Sequence, residues 1–448
     1  MAGGWLAYLG VLQWSVVRFR VPIVLTLTAV ALGLAAWLVL RREVRLPVWW
    51  GVLVPVASVV LLWTVPLFSY LRGGWLTAAL AVVTVVGVLG ALLLARGTPG
   101  AADLAHLVAV AGHAVLAAVV ILGDRAPRID VWVILQQASD GLARGENMYS
   151  ATWTGSPGVQ DAFPYLPWTA VLLAPGRWLF GDVRWSLAAW TVVLLLGLRA
   201  LAVPPRPDGA AGAAGPARGP SAGRGPWAWP AAVAAVALVV APGGITQVDQ
   251  AWTEPLLAAG LVWWAVLVRR GQAWWAVVPL ALACASKQHL VLLLPVLAAW
   301  PAFGVKRTAA AAGLAGALCL PWFLASPADF LHDTVTLLVG FHPIRFANTW
   351  HLYLLNEHGV EPPFWLTGLL VVGTVAAAAL TVARRRPDLP ELLRWLALVL
   401  LAANLVNKQA FYNQFWLSAA LVAASLALAP PPLTEPRPAP RDVAATRG

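Results

Sequence analysis

Apolar residues fill long, unbroken runs along this chain, and short clusters of charge, glycine and proline separate them. Within a run the apolar positions do not alternate, so a half-buried strand is not indicated. A helix needs roughly 20 apolar residues to cross a hydrocarbon core. The pattern predicts helices near 21–40, 47–70, 74–95, 104–123, 184–203, 227–243, 250–269, 272–286, 288–303, 308–325, 364–383, 391–404 and 410–429. Only helices or closed barrels satisfy the backbone in lipid. The expected fold class is therefore an all-α polytopic membrane protein with about thirteen transmembrane helices.

Composition sharpens this. Of the 448 residues 60% are hydrophobic and 11% charged, whereas soluble domains carry about 25% charged residues. The net charge of +11 would point to nucleic acid in a soluble protein. Here the arginines sit in short clusters between apolar runs, so they report membrane orientation, and no nucleic-acid partner is expected. Cys284 and Cys319 both lie inside apolar segments and offer neither a disulfide framework nor a zinc spacing. Residues 1–17 are apolar but lack the basic start and small-residue site of a cleavable signal.

The polar breaks divide the chain into an N-terminal helical bundle (1–103), a core pair of helices (104–203) enclosing a long loop (124–182), a Pro/Gly/Ala linker (204–226), a second set of helices (227–429) enclosing a second long loop (326–362), and a Pro-rich tail (430–448). The linker and tail cannot pack a core. With Arg41, Arg42, Arg45, Arg96, the linker, Arg269, Arg270, Lys306, Arg307, Arg384, Arg385, Arg386 and the tail on the cytoplasmic side, that side holds 19 basic and 7 acidic residues, and the other holds 11 and 12. The positive-inside rule then places both long loops outside. This requires that 163–180, which carries Pro164, Pro167 and Pro175, lie as a juxtamembrane helix and not cross.

Ionisable residues near the membrane cost about 2.5–3.5 kcal/mol each on insertion scales, so they tend to have partners or tasks. Asp130 follows a helix exit and precedes a short helical stretch. It suits a general base, but on residue chemistry alone it reads first as a helix cap. Asp140, Glu146 and Asp161 read as solvated loop charges. Lys287, Gln288 and His289 fall between two apolar half-segments, where an ammonium can meet a phosphate or simply snorkel to the surface. Lys408 and Gln409 form a third group, within a polar cluster with Asn404, Asn407, Asn413 and Gln414 that can also serve interhelical hydrogen bonding. In the second loop His342 and Arg345 can bind phosphate or sugar, and the histidine spacing makes no convincing metal site. Asp249 and Glu254 read first as capping and dipole residues, and His106 and His113 as structural. No Walker motif, dinucleotide fingerprint or GxSxG elbow is present, which argues against ATP-driven pumping and hydrolase chemistry.

The order of these features resembles the C-type membrane glycosyltransferases, and most closely glycosyltransferase family 87, the polyprenyl-phosphate-mannose-dependent type. The shared series is Asp130, a short helix over 131–144, Gly145-Glu-Asn-Met-Tyr149, Phe163-Pro-Tyr165-Leu-Pro167, Lys287, the basic turn Lys306-Arg307 and Asn413-Gln-Phe-Trp416. It spans about residues 104–429. Leu166 stands between prolines that the family often has adjacent, and about three helices precede 104–123 where the family's catalytic loop usually follows the first. The resemblance implies transfer of a sugar, with mannose expected, from a polyprenyl-phosphate donor to a lipid or glycan acceptor at the outer face of a bacterial cell membrane. It implies inversion, no nucleotide and no essential cofactor or metal. Asp130 would be the base. Lys287, His289, Arg345 and Lys408 would stabilise the leaving phosphate, with Gln409, Tyr149, Tyr165 and His342 as further substrate contacts. Two other classes remain: a secondary transporter or lipid flippase, which would show repeats and midplane ionisable groups, and a non-catalytic envelope scaffold, which would tolerate loss of Asp130.

Overall fold

A computed structural model describes residues 18–40, 46–65, 67–204 and 228–430, together with Tyr8 and Leu12. The linker, the tail and most of residues 1–17 lie outside the described residues. In chain order the helices are α1 (Val21–Leu40), α2 (Trp50–Thr64), α3 (Gly73–Ala95), α4 (Pro99–Gly123), α5 (Asp130–Ala143), α6 (Trp168–Phe180), α7 (Arg184–Ala202), α8 (Ala228–Val239), α9 (Gly244–Asp249) and α10 (Glu254–Arg269). They continue as α11 (Val277–Cys284), α12 (Leu294–Ala299), α13 (Gly304–Ala325), α14 (Pro327–Leu331), α15 (Leu337–Gly340), α16 (Trp350–His358), α17 (Phe364–Arg385), α18 (Leu389–Val406) and α19 (Tyr412–Ala427). Among the described residues there is no strand.

The protein is an all-α membrane protein. Among the described residues seven helices, α1, α3, α4, α7, α13, α17 and α18, are long and apolar enough to cross a bilayer. Their outward surfaces are apolar: α17 exposes Leu369, Leu370, Val372 and Leu380, and α13 exposes Leu320 and Leu324. Such faces are costly in water and suited to lipid. By contrast α8 is buried on all twelve residues, as expected for a helix apolar all round. The largest buried side chains include Trp264 on α10 and Tyr412, Phe415 and Trp416 on α19.

Each of the thirteen apolar segments contains helix, but several are interrupted, and the interruptions have local causes. Gly243 adopts φ +86°, which ends the α8 segment, and a Cβ there would meet the Tyr412 ring at 2.4 Å. Ala251, with φ 56°, separates α9 from α10. Lys287 is extended, with φ −149° and ψ 125°, and divides α11 from a 3-10 turn (Gln288–Leu293) that leads into α12.

In the first long loop a helix begins at Asp130, and a second, α6, has 13 residues, fewer than the roughly 20 a crossing needs. The second loop, expected as one long loop over 326–362, is partly helical. It contains α14, a π-turn at His332–Thr336, α15 and α16, with Thr349 capping α16 by accepting from Leu352 N at 3.2 Å.

Candidate functional site

Asp130 is the first residue of α5, after extended Ile129, a position where the helix dipole favours a carboxylate. Its Oδ1 accepts from Val131 N at 2.8 Å. The half-buried side chain forms part of the wall of a cleft of about 930 Å³, shared with Trp153, Gly158 and Asp161 of the first loop and Phe341 and His342 of the second. The cleft thus lies where the two long inter-helix segments meet.

Polar contacts lock α5 against α6 and α7. Gln136 donates to Gly181 O at 3.2 Å and accepts from Val183 N at 3.0 Å. Asp140, expected to be a solvated charge, instead takes both arms of Arg177, each at 2.8 Å. Asp182 accepts from Trp132 Nε1 at 3.2 Å and from fully buried Arg184 at 2.7 Å. Glu146 pairs with exposed Arg144.

The tyrosine and proline motifs are stitched to the break at Lys287. Tyr149 donates its hydroxyl to Tyr165 O at 2.8 Å, and its ring stands edge-on to Phe163 at 5.7 Å. Leu166 N donates to Ser286 O, and Trp168 N to Ala285 O, both at 3.2 Å. Gln288 donates to Pro164 O at 3.0 Å and Thr334 O at 3.2 Å. Asp333 accepts from Phe163 N at 2.7 Å, and burial raises its pKa above the ordinary carboxylate value.

Lys287 and Glu254 form a buried ion pair at 2.5 Å, their side chains 10% and 0% exposed. Lys287 also donates to Thr253 Oγ1 at 3.2 Å and lies 5.5 Å from the centre of the Tyr165 ring. Asn413 donates to the same Glu254 oxygen at 2.9 Å, and the other oxygen is buried without a partner. The Tyr165 hydroxyl is held neutral well above its usual range, by burial first and then by the nearby Asp130 and Glu254 carboxylates. Asp130, Tyr165, Lys287 and Glu254 therefore form one electrostatic neighbourhood. Glu254 was not singled out from sequence as a partner for Lys287. The available signal was a carboxylate at a Pro-started apolar helix, next to the polar run Gln247-Val-Asp-Gln250.

The remaining candidates separate. His342 stacks on Phe341 at 4.5 Å and borders the cleft. Lys408 donates to Val339 O at 2.6 Å and Phe341 O at 2.5 Å, so its ammonium holds the end of α15; burial lowers its pKa, with Glu361 opposing. Gln409 N donates to Asn407 Oδ1 at 3.4 Å, and its side-chain nitrogen is buried without a partner. His289 is half-buried on the 3-10 turn after Lys287. Arg345 is exposed, and it is not among the residues lining the cleft. Asp249 accepts from Ser69 Oγ at 2.8 Å and Tyr70 N at 2.6 Å. Among the described residues no three His, Cys, Asp or Glu side chains gather as a metal site.

No family model matches the chain, and no curated protein matches it.

Proposed function

We propose that the protein is a polyprenyl-phosphate-dependent membrane glycosyltransferase, with mannose as the sugar and an envelope lipid or glycan as acceptor. It works at the outer face of a bacterial cell membrane, with both long loops outside and the C-terminus in the cytoplasm. The thirteen apolar segments all cross the membrane, seven as long continuous helices and the rest as shorter or broken ones.

One observation carries the reading: Asp130 borders a cleft of about 930 Å³ between the two loops, electrostatically coupled to Tyr165, which packs on Lys287. In the reaction the free Asp130 oxygen takes the proton of an acceptor hydroxyl. The acceptor oxygen bonds to the anomeric carbon as the bond from that carbon to the phosphate oxygen breaks. The bonding pair leaves with the polyprenyl phosphate, and the anomeric configuration inverts. Charge grows on the phosphate oxygens, where the Lys287 ammonium can offset it.

Transport is the second reading, and the buried Glu254–Lys287 pair beside interrupted helices favours it, since such groups often mark membrane pathways. The two readings separate in vesicles containing purified protein, radiolabelled polyprenyl-phosphate mannose and octyl mannoside. Transferase activity moves the label onto octyl mannoside. Label that only changes leaflet, unaltered, would contradict the proposal and favour transport.

A further inference from the structure

Residues 152–161 cover the start of α5 as a fixed lid. Trp153 N donates to Gln160 O at 2.6 Å, and the Trp153 indole donates to Ala162 O at 2.7 Å. Gln137 of α5 and the Thr154 backbone exchange two hydrogen bonds, at 2.7 and 3.0 Å. Gly155 turns the lid with φ +75°, and Gly158 comes to rest against Asp130.

A Cβ on Gly158 would stand 2.4 Å from Asp130 Oδ2, 3.0 Å from its Cγ and 3.2 Å from its Cβ. All three atoms belong to Asp130, so the missing side chain is the space that the carboxylate occupies. Its other oxygen is already committed to Val131 N at 2.8 Å, so the group cannot turn aside and keep that bond. Gly158 is not among the glycines with positive φ, and it is exposed. The demand for glycine therefore comes from the neighbouring side chain and not from the turn.

We propose that Gly158 is a positioning residue that fixes the carboxylate of Asp130 at the cleft wall; this rests on the reading of Asp130 as the base. Ordinary van der Waals contact begins at 3.4 Å, so Gly158→Ala moves the carboxylate by about 1 Å, a misplacement that can cost about 100-fold in rate.

The test uses the full chain in lipid with radiolabelled polyprenyl-phosphate mannose and octyl mannoside. Gly158→Ala is expected to lower kcat about 100-fold while the donor KM and the thermal midpoint stay at wild-type values. A loss of rate that only follows a lowered midpoint would overturn the positioning role. A second measurement needs no substrate: the rate of carbodiimide modification at Asp130, read by peptide mass spectrometry, should change several-fold in Gly158→Ala. Unchanged labelling and unchanged kcat, with Asp130→Asn inactive, would refute the role of Gly158. An Asp130→Asn protein that still transfers sugar would instead refute Asp130 as the base.

Discussion

Replacing Glu254 by Gln tests whether the charged centre of the helix set is a coupled pair. Glu254 is fully buried and Lys287 nearly so, and each is tied to further groups: Asn413 on the carboxylate, Thr253 and the Tyr165 ring on the ammonium. Removing one partner of such a pair leaves the other charge without its counter-ion and typically costs about 3–5 kcal/mol. Removing both together is often close to neutral, because the desolvation penalty goes with them. Glu254→Gln and Lys287→Met are therefore each expected to destabilise by about 3–5 kcal/mol. The double variant should lose less than either, a coupling that a double-mutant cycle reads directly. The measurement is the unfolding free energy in mixed detergent micelles titrated with a denaturing detergent. Single variants as stable as wild type, or a double variant whose cost equals the sum of the two, would refute the account of a buried, mutually dependent pair.

Two other outcomes follow from the second loop. Lys408→Met should release the carbonyls of Val339 and Phe341, so amide exchange over residues 337–346 accelerates and sugar transfer falls; unchanged exchange there would exclude the clamp. Asp333 has its pKa raised by burial, so the folded protein binds its proton more tightly than the unfolded chain does. Its contribution to stability is then greatest below the ordinary carboxylate value and declines as pH rises through the raised one. Asp333→Asn should flatten that decline in the thermal midpoint as pH rises above the ordinary carboxylate value of about 4, and an unaltered slope would contradict the assignment.

How much of this could be read from the sequence depends on the range of the interaction involved. The expected short helix at 131–144 corresponds to Asp130–Ala143, and the stretch 163–180, expected to be juxtamembrane, contains Trp168–Phe180. Both are set by local signals: an acidic start, the αL glycine at 181 and prolines that bound the second helix. The breaks near Gly243, Ala251 and Lys287 coincide with Pro242-Gly-Gly244, the polar run 247–250 and Ser286-Lys-Gln-His289 in the sequence, whereas the left-handed backbone at Ala251 and the extended one at Lys287 are set by the packing and leave no sequence signal. Lys287 was visible as an ionisable residue in an apolar chain, whereas its partner Glu254 lies 33 residues earlier, a distance across which periodicity carries no information. Lys408 illustrates the same limit, since its partners are main-chain carbonyls 69 and 67 residues away. Helix α16 in the second loop has nine residues, too few for an amphipathic period to stand out. Arg345, chosen for its charge beside His342, turns out exposed while its neighbour borders the cleft.

The most direct test of the central claim compares wild type with Asp130→Asn, both purified into lipid and given radiolabelled polyprenyl-phosphate mannose with octyl mannoside and total cell lipid as acceptors. Asn nearly matches Asp in shape but cannot take a proton, and general-base catalysis contributes about 10²–10⁴-fold. The account predicts transfer by wild type and a loss of that order in the variant, with unchanged thermal unfolding. Wild-type rates in the variant, or no transfer by either protein, would contradict it.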